Sequence, residues 1–306
     1  MKKRVAVLMG GFSVEREVSL SSAQGVLNAL QELGHEAIPI DVTRDMRAFI
    51  QNLETHKPDI VLNILHGRWG EDGCMQGLLE MMGIPYSHTG VLGSALSMNK
   101  VVARMICEAK GIRIPEGQLA KLVDVCAGQV MKRPYVIKPV GEGSSLGVHI
   151  ILDEKTPLPN PQEWPFEDEV LVERYIPGRE IQVAVMGGKA IGAIEICPKG
   201  AFYDYEAKYT DGKATHLMPA PIHPQVYAQV LEWAEKAHDV LECRGITRSD
   251  FRYDDTQGEP GMLYYLETNP QPGLTPLSLV PEIAAHQGMT YAQLVQWMVE
   301  DASCRR

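Results

Sequence analysis

The chain has 306 residues, 45% of them hydrophobic and 22% charged, the balance of an ordinary globular protein of two or three domains. Acidic residues number 39 against 29 basic ones; the formal net charge of −10 argues against non-specific grip on nucleic acid, though not against a local basic pocket for phosphates. The six cysteines are scattered without a CxxC pair and no run of about 18 apolar residues occurs, so a zinc site, a disulfide framework and a membrane span are not expected.

The opening MKKRVAVLMGG has a basic start, but its short apolar run ends in a Gly-Gly turn, which reads as a first strand (Arg4 to Met9) and not a signal peptide; a cytoplasmic protein is expected. Next come a helix with Leu20, Ala23, Leu27 and Leu30 at helical spacing, strands at Ala37 to Ile40 and Ile60 to Leu65, a helix from Cys74 to Met82, and a short strand at Ile84 to Tyr86. Alternating strands and helices predict a doubly wound parallel layer, whose ligands bind at the carboxyl ends of its strands. The loops there are GGFSVE and HGRWGEDG. The first lacks the G-x-G-x-x-G dinucleotide fingerprint. Its Glu15 is either a favourable partner of the helix dipole or a carboxylate in a cleft, placed to receive a cationic amine. Cys74 and Cys107 fall in apolar helical patterns and are expected to be buried free thiols.

Ser94 to Ala109 predicts one continuous helix, on which Lys100 would ordinarily be a surface residue. From about residue 115 the pattern turns to hairpins: strand Tyr135 to Pro139, loop GEGSSLG, and a returning strand Val148 to Leu152. The loop is no P-loop, because Gly-Lys-Ser/Thr is missing and no helix follows. It is either a flexible surface hairpin or a cover that offers N–H groups and hydroxyls to phosphates. Lys138 in the apolar strand before it favours the second, since a lysine seldom sits in a buried strand without a partner. Glu169 to Ile176 is a strand carrying Glu173 and Tyr175, and Glu180 opens the next. Residues 199–221 have weak periodicity but several aromatics, and read as a lid loop. Gln225 to Leu241 is an amphipathic helix, and Thr290 with Gln293 forms a capping box that opens the last helix.

The stretch from Gly245 to Gly273 (GITRSDFRYDDTQGEPGMLYYLETNPQPG) predicts a β-hairpin with strands Ile246 to Tyr253 and Met262 to Thr268. With the turn centred near Gly258, Asp250 falls opposite Glu267 and Arg248 opposite Asn269. One face would then carry two carboxylates, an amide oxygen and a guanidinium. An all-oxygen set of this kind suits Mg²⁺; a solvated hairpin with cross-strand charge pairs is the plainer alternative.

In this order the motifs resemble those of the ATP-grasp superfamily and, within it, the D-alanine–D-alanine ligases: GGFSVEREVSLSSA, HGRWGEDG, GSALSMNK, EGSSLGV, YDYEAKYTDG and RSDF…LETNPQPGLTPLSLVP. The resemblance covers nearly the whole chain. It implies a mixed α/β and α+β fold in three parts: an N-terminal doubly wound substrate domain over residues 1–95, a small strand-rich subdomain over 96–180, and a C-terminal antiparallel-sheet domain over 181–306 that holds the lid and the metal site. It implies that ATP phosphorylates one D-alanine and that the amine of a second attacks the acylphosphate, giving the dipeptide for peptidoglycan synthesis and cell shape.

By the same resemblance Asp250, Glu267 and Asn269 hold Mg²⁺ (or Mn²⁺ in its place). Lys100, Lys138, Ser144, Ser145 and Lys208 attend the phosphates, and Glu173, Tyr175, Ile176, Glu180 and Phe202 border adenine and ribose. Arg248 and the backbone at Gly273 stabilise the tetrahedral intermediate, Glu15 takes the first ammonium with Ser144 and Tyr209 around it, and His66 lies near that substrate. Ser278 and Leu279 match the region for the second carboxylate. A homodimer is implied, with no nucleic-acid or membrane partner. Two departures, Pro270 after Asn269 and Asn99 before Lys100, remove none of these groups. The competing expectations are a ligase of the same fold with another second substrate, a nucleotide-binding protein with a degenerate site and, least supported, a dinucleotide-dependent oxidoreductase.

Overall fold

The computed structural model describes residues 2–198 and 214–305. Three sheets carry the fold. The first is parallel, in the order β2(Glu36–Val42), β1(Arg4–Gly10), β3(Ile60–Asn63), with Leu8 in register with Ile40 and Asn63. Every residue of β3 and Val5 to Leu8 of β1 are buried, as strands covered on both faces must be. Helix α1(Arg16–Glu32) packs on β1; α2(Met46–His56) and α3(Cys74–Met82) follow β2 and β3. The expected strand at Ile84 to Tyr86 reduces to single bridges from the fully buried Tyr86 to Val61 and Ser303.

The expected helix from Ser94 to Ala109 is broken. α4(Val91–Met98) ends at Asn99, where the backbone is extended and the side chain accepts the N–H of Val102 at 3.1 Å, capping a new helix α5(Lys100–Ala109). An asparagine competes with the helix for backbone hydrogen bonds, and here it wins. The break places Lys100 at the first position of α5 and buries it at 8% exposure, so it is not a surface lysine.

The second sheet, in the order β4(Gly117–Lys121), β7(Glu169–Arg174), β5(Tyr135–Pro139), β6(His149–Ile151), is antiparallel and rests on the short α6(Leu122–Cys126). The third, also antiparallel, runs β10(Ala214–Leu217), β9(Lys189–Pro198), β8(Arg179–Met186), β11(Ile246–Asp254), β12(Met262–Asn269), with α7(Pro224–Val240) across it. β10 corrects the lid expectation at its described end: Ala214 to Leu217 pair with Pro198 to Glu195 as an edge strand of alternating exposure. Of the expected lid, residues 199–213 lie outside the described residues.

Helices α8(Leu279–His286) and α9(Tyr291–Asp301) return to the first sheet, and α9 packs on α1. A single core therefore joins Val5, Leu30 and Leu62 to Ile194, Ile246, Ile283 and Met298. Cys107 is buried as expected, whereas Cys74, the first residue of α3, is exposed. Among the described residues no helix is long and apolar enough to cross a membrane.

Candidate active site

The hairpin has the expected register: Asp250 pairs with Glu267 and Arg248 with Asn269, and a β-bulge follows Asp250. Asp250 is 5% exposed, and both its oxygens accept from Arg248, Nε at 2.8 Å and Nη2 at 3.0 Å. Glu267 faces Lys100 at 3.4 Å. The Asn269 amide oxygen accepts the N–H of Gln271 at 2.8 Å. Among the described residues no group of three or more His, Cys, Asp or Glu forms a metal cage. Two carboxylates and an amide oxygen at a cleft nevertheless fit Mg²⁺, which takes one or two protein carboxylates and keeps its other positions for phosphate and water. They fit no thiolate- or imidazole-preferring metal.

A cleft opens between the second and third sheets. Lys100, Lys138, Ser145, Glu173, Tyr175, Ile176, Glu180, Asp250 and Glu267 all line it, so the residues expected around a nucleotide converge from both sheets and α5. Lys100 Nζ also donates to the carbonyl of Glu142 in the glycine loop. Glu173 lines the cleft with Tyr175 and Ile176, and its carboxylate is also held from both sides. It is 2% exposed, with Lys138 Nζ 2.5 Å from one carboxylate oxygen and Arg104 on the other. Two cations, of which Arg104 is buried, are its partners because a buried carboxylate must be paired. Glu180 accepts from Gln182 Nε2 at 3.1 Å, with Arg252 3.9 Å away. Arg252, Arg174 and Glu142 also line the cleft and were not singled out from the sequence. Arg252 continues the period-2 run Arg248, Asp250, which could have found it; Arg174 and Glu142 carry no such signal. Burial pushes the Glu142 carboxyl up against the opposing pull of Arg68 and Lys100.

A second cavity shares Lys100, Glu142 and Glu267 with the first and is lined further by Glu15, His66, Glu71, Ser144, Arg248, Asn269 and Gly273. Glu15, 5% exposed, stands at the N-cap of α1 and accepts the Ser144 hydroxyl. Ser144 and Ser145 both have left-handed backbone, with φ of 50° and 58°, unusual for residues with a Cβ and tolerated where the surroundings enforce it. Gly67 is required on the other side: a Cβ there would stand 2.7 Å from Glu15 Oε2, and its φ is +72°. His66 Nδ1 meets Glu71 Oε1 at 3.0 Å, and His66 Nε2 is buried with no hydrogen-bond partner. Burial alone would lower this histidine's pKa, but the Glu71 hydrogen bond and the charges of Glu71 and Glu15 outweigh burial and raise it.

Ser278 sits directly against Gly273, its hydroxyl accepting the N–H of Thr275 at 2.9 Å. The Leu279 side chain is buried in the core, so its part in a site is limited to the backbone N–H in the first turn of α8. Phe202, Lys208 and Tyr209 lie outside the described residues.

One buried amide ties the walls together. Gln271, 1% exposed, accepts from Asn63 Nδ2 at 3.0 Å and donates to the carbonyl of Leu65. Asn63 in turn donates to Gly70 at 2.9 Å, so the loop bearing His66 and Glu71 is fastened to the exit of the β11–β12 hairpin. The sequence marks Gln271 only by its place between two prolines.

Comparison with known proteins agrees with this geometry. The family model described as D-ala D-ala ligase N-terminus matches residues 4–58 and 48–89, and that described as D-ala D-ala ligase C-terminus matches residues 115–300. The D-alanine–D-alanine ligase of Paramagnetospirillum magneticum is 50% identical over 307 residues, covering 99% of this chain and 100% of that one. The D-alanine–D-alanine ligase B of Mesorhizobium japonicum is also 50% identical, over 308 residues and 99% of both. Among solved structures, the Bacillus anthracis D-alanine–D-alanine ligase complexed with ATP superposes with a TM-score of 0.81 at 30% identity, covering 98% of this chain and 97% of that one. The VanG D-Ala:D-Ser ligase of Enterococcus faecalis gives a TM-score of 0.78 at 28% identity, over 98% and 99% of the two chains.

Proposed function

Since this chain belongs to the D-alanine–D-alanine ligase family, we propose that its two joined cavities carry out the ATP-dependent condensation of two D-alanines to D-alanyl-D-alanine, the family's contribution to peptidoglycan precursors. The observation that carries the reading is the junction. Lys100 and Glu267 border both cavities, so the phosphate end of a nucleotide cleft opens onto a pocket lined by Glu15, His66 and Arg248.

The reaction proceeds in two steps. A carboxylate oxygen of the first D-alanine attacks the γ-phosphorus of ATP, the bond to the bridging oxygen breaks, and ADP leaves. The amine of the second D-alanine then adds to the acyl carbon, and the tetrahedral intermediate expels phosphate and loses a proton to give the amide. The first step needs positioning and charge neutralisation more than covalent help. Lys100 and Lys138 supply positive charge from two elements, and the glycine loop reaches the nucleotide cleft with Ser145 and the adjoining cavity with Ser144. Asp250, Glu267 and Asn269 would hold Mg²⁺, or Mn²⁺ in its place, which when bound neutralises phosphate charge.

Glu15 receives the first substrate's ammonium, oriented by Ser144. His66, held by Glu71, directs its unpartnered Nε2 to that substrate. Arg248, anchored on Asp250, faces the charge that develops on the acyl oxygen, with the Gly273 backbone beside it. Ser278 and the first-turn N–H of α8 take the second carboxylate. Tyr175, Ile176 and Glu180 border the nucleoside. The protein acts in the cytoplasm as a homodimer.

Phosphate release from ATP and Mg²⁺, measured with and without D-alanine and with mass spectrometry of the products, tests the reading. Phosphate that depends on D-alanine and accompanies the dipeptide is the expected result. Binding of ATP without turnover would leave only a degenerate nucleotide site. The D-Ala:D-Ser neighbour keeps a second reading open at the second subsite, and a panel of D-amino acids and D-hydroxy acids decides it.

A further inference from the structure

Behind the nucleotide cleft lies a chain of three charges, two of them buried, that crosses from α5 to the second sheet. Arg104 is 3% exposed and Glu173 2% exposed. The Arg104 guanidinium donates through Nη1 to Glu173 Oε2 and through Nη2 to the carbonyl of Pro115. The other carboxylate oxygen of Glu173 meets Lys138 Nζ at 2.5 Å. The room for this was made on β4. Gly117 lies opposite Glu173, and a Cβ there would approach the guanidinium to 3.2 Å and the Glu173 Cβ to 3.0 Å. Arg104 also lies one helical turn beyond Lys100, so a single face of α5 carries both the cation at the cavity junction and the cation behind Glu173.

The charges fix the consequence. Lys138 and Glu173 alone would form a neutral pair, in which the carboxylate competes with any phosphate for the ammonium. With Arg104 on its far side the carboxylate is shared, and the three groups together carry one net positive charge, presented to the cleft by Lys138. Inside a protein such a charge is weakly screened, so the balance is felt strongly at a phosphate. A guanidinium suits the rear position because its planar fork reaches a carboxylate and a carbonyl together and stays charged.

We propose that Arg104 is a positioning residue for ATP: by engaging Glu173 from behind, it releases Lys138 to bind the nucleotide phosphates. Arg104 does not line the cleft. The proposal rests on the ligase reading above, and deepens it by assigning the charge balance of its phosphate site.

The test is steady-state kinetics on Arg104→Met, Arg104→Lys, Glu173→Gln and the double variant Arg104→Met/Glu173→Gln, with melting temperatures measured alongside. Arg104→Met is expected to raise KM for ATP about tenfold or more while KM for D-alanine stays within about twofold. Arg104→Lys, which keeps the charge and loses the fork, falls between. The double variant is decisive, because removing the competing carboxylate together with its rear partner brings KM for ATP back toward the parent value. A purely structural role predicts instead that KM for ATP and KM for D-alanine rise and recover together, in step with the melting temperature. An unchanged KM for ATP in folded Arg104→Met, or a double variant worse than either single one, overturns the proposal. Should Arg104→Met fail to fold, Arg104→Lys decides: KM for ATP raised while KM for D-alanine holds supports the proposal, and KM for ATP unchanged overturns it. Absence of D-alanine-dependent turnover in the parent protein would instead sink the ligase reading.

Discussion

Asn63, at the end of β3, and Gln271, just past β12, are 208 positions apart in the chain and share a buried hydrogen bond of 3.0 Å. The same Gln271 holds the carbonyl of Leu65, one residue before His66. Replacing Gln271 by Leu keeps the volume and removes both bonds, leaving a buried donor on Asn63 and a buried carbonyl unpaired. Each such orphan costs roughly 1–3 kcal/mol. The expected result is a lower denaturant midpoint, together with a raised KM for D-alanine and little change in KM for ATP. A loss confined to stability would show that the clamp does not position the His66 loop.

Asp250→Asn and Glu267→Gln each remove one of the two carboxylates at the hairpin, where the charge requirement for a divalent cation is concentrated. Both should lower ATP turnover by about two orders of magnitude or more and raise the Mg²⁺ concentration needed for half-activation. Titration of activity against Mg²⁺ checks this. Full activity in either variant would remove the metal assignment.

Gly67→Ala puts a Cβ where the Glu15 carboxylate now stands, 2.7 Å away, at a backbone φ of +72° that disfavours any side chain. The carboxylate must move, and KM for D-alanine should rise while KM for ATP holds. Initial-rate measurements with each substrate varied separate the two.

His66 and His238 should shape stability against pH in opposite senses. His66 is raised from its ordinary value of 6.5, burial being outweighed by Glu71 and Glu15. Its contribution is complete below the unfolded pKa and is lost as pH rises through the higher folded value. His238 is pushed down to about 4, by burial first and then by the charge of Arg244. Its neutral form contributes on the order of 3 kcal/mol above the unfolded pKa, and this is lost as pH falls toward the folded value. Denaturant unfolding at several pH values, read as wild type minus His66→Asn and wild type minus His238→Gln, should give slopes of opposite sign. Equal slopes would contradict both origins.

Much of the site is legible in the sequence because it lies on regular elements. The hairpin register follows from strand periodicity and turn chemistry, so the pairing of Asp250 with Glu267 and of Arg248 with Asn269 can be read from the residues alone. Lys138 is marked by sitting, charged, in an apolar strand, and Glu15 by opening a helix after a glycine turn. Lys100 is harder. Its burial depends on Asn99 ending one helix and capping the next, a choice between two local hydrogen-bonding schemes that helical spacing does not separate.

The sequence by itself determined most of the elements, the hairpin pairing and the inventory of charged groups, because local sterics, turn residues and periodic burial act within a few residues of chain. Only the tertiary structure decided which of those groups meet. Glu173 sits between Lys138 and Arg104, Gln271 fastens to Asn63, and Ser144 reaches Glu15. Each contact joins segments tens to hundreds of residues apart, and none has a spacing that could announce it. Their partners are chosen by the demand that buried polar and charged groups be satisfied once the sheets and helices have packed, and that demand exists only in the folded molecule.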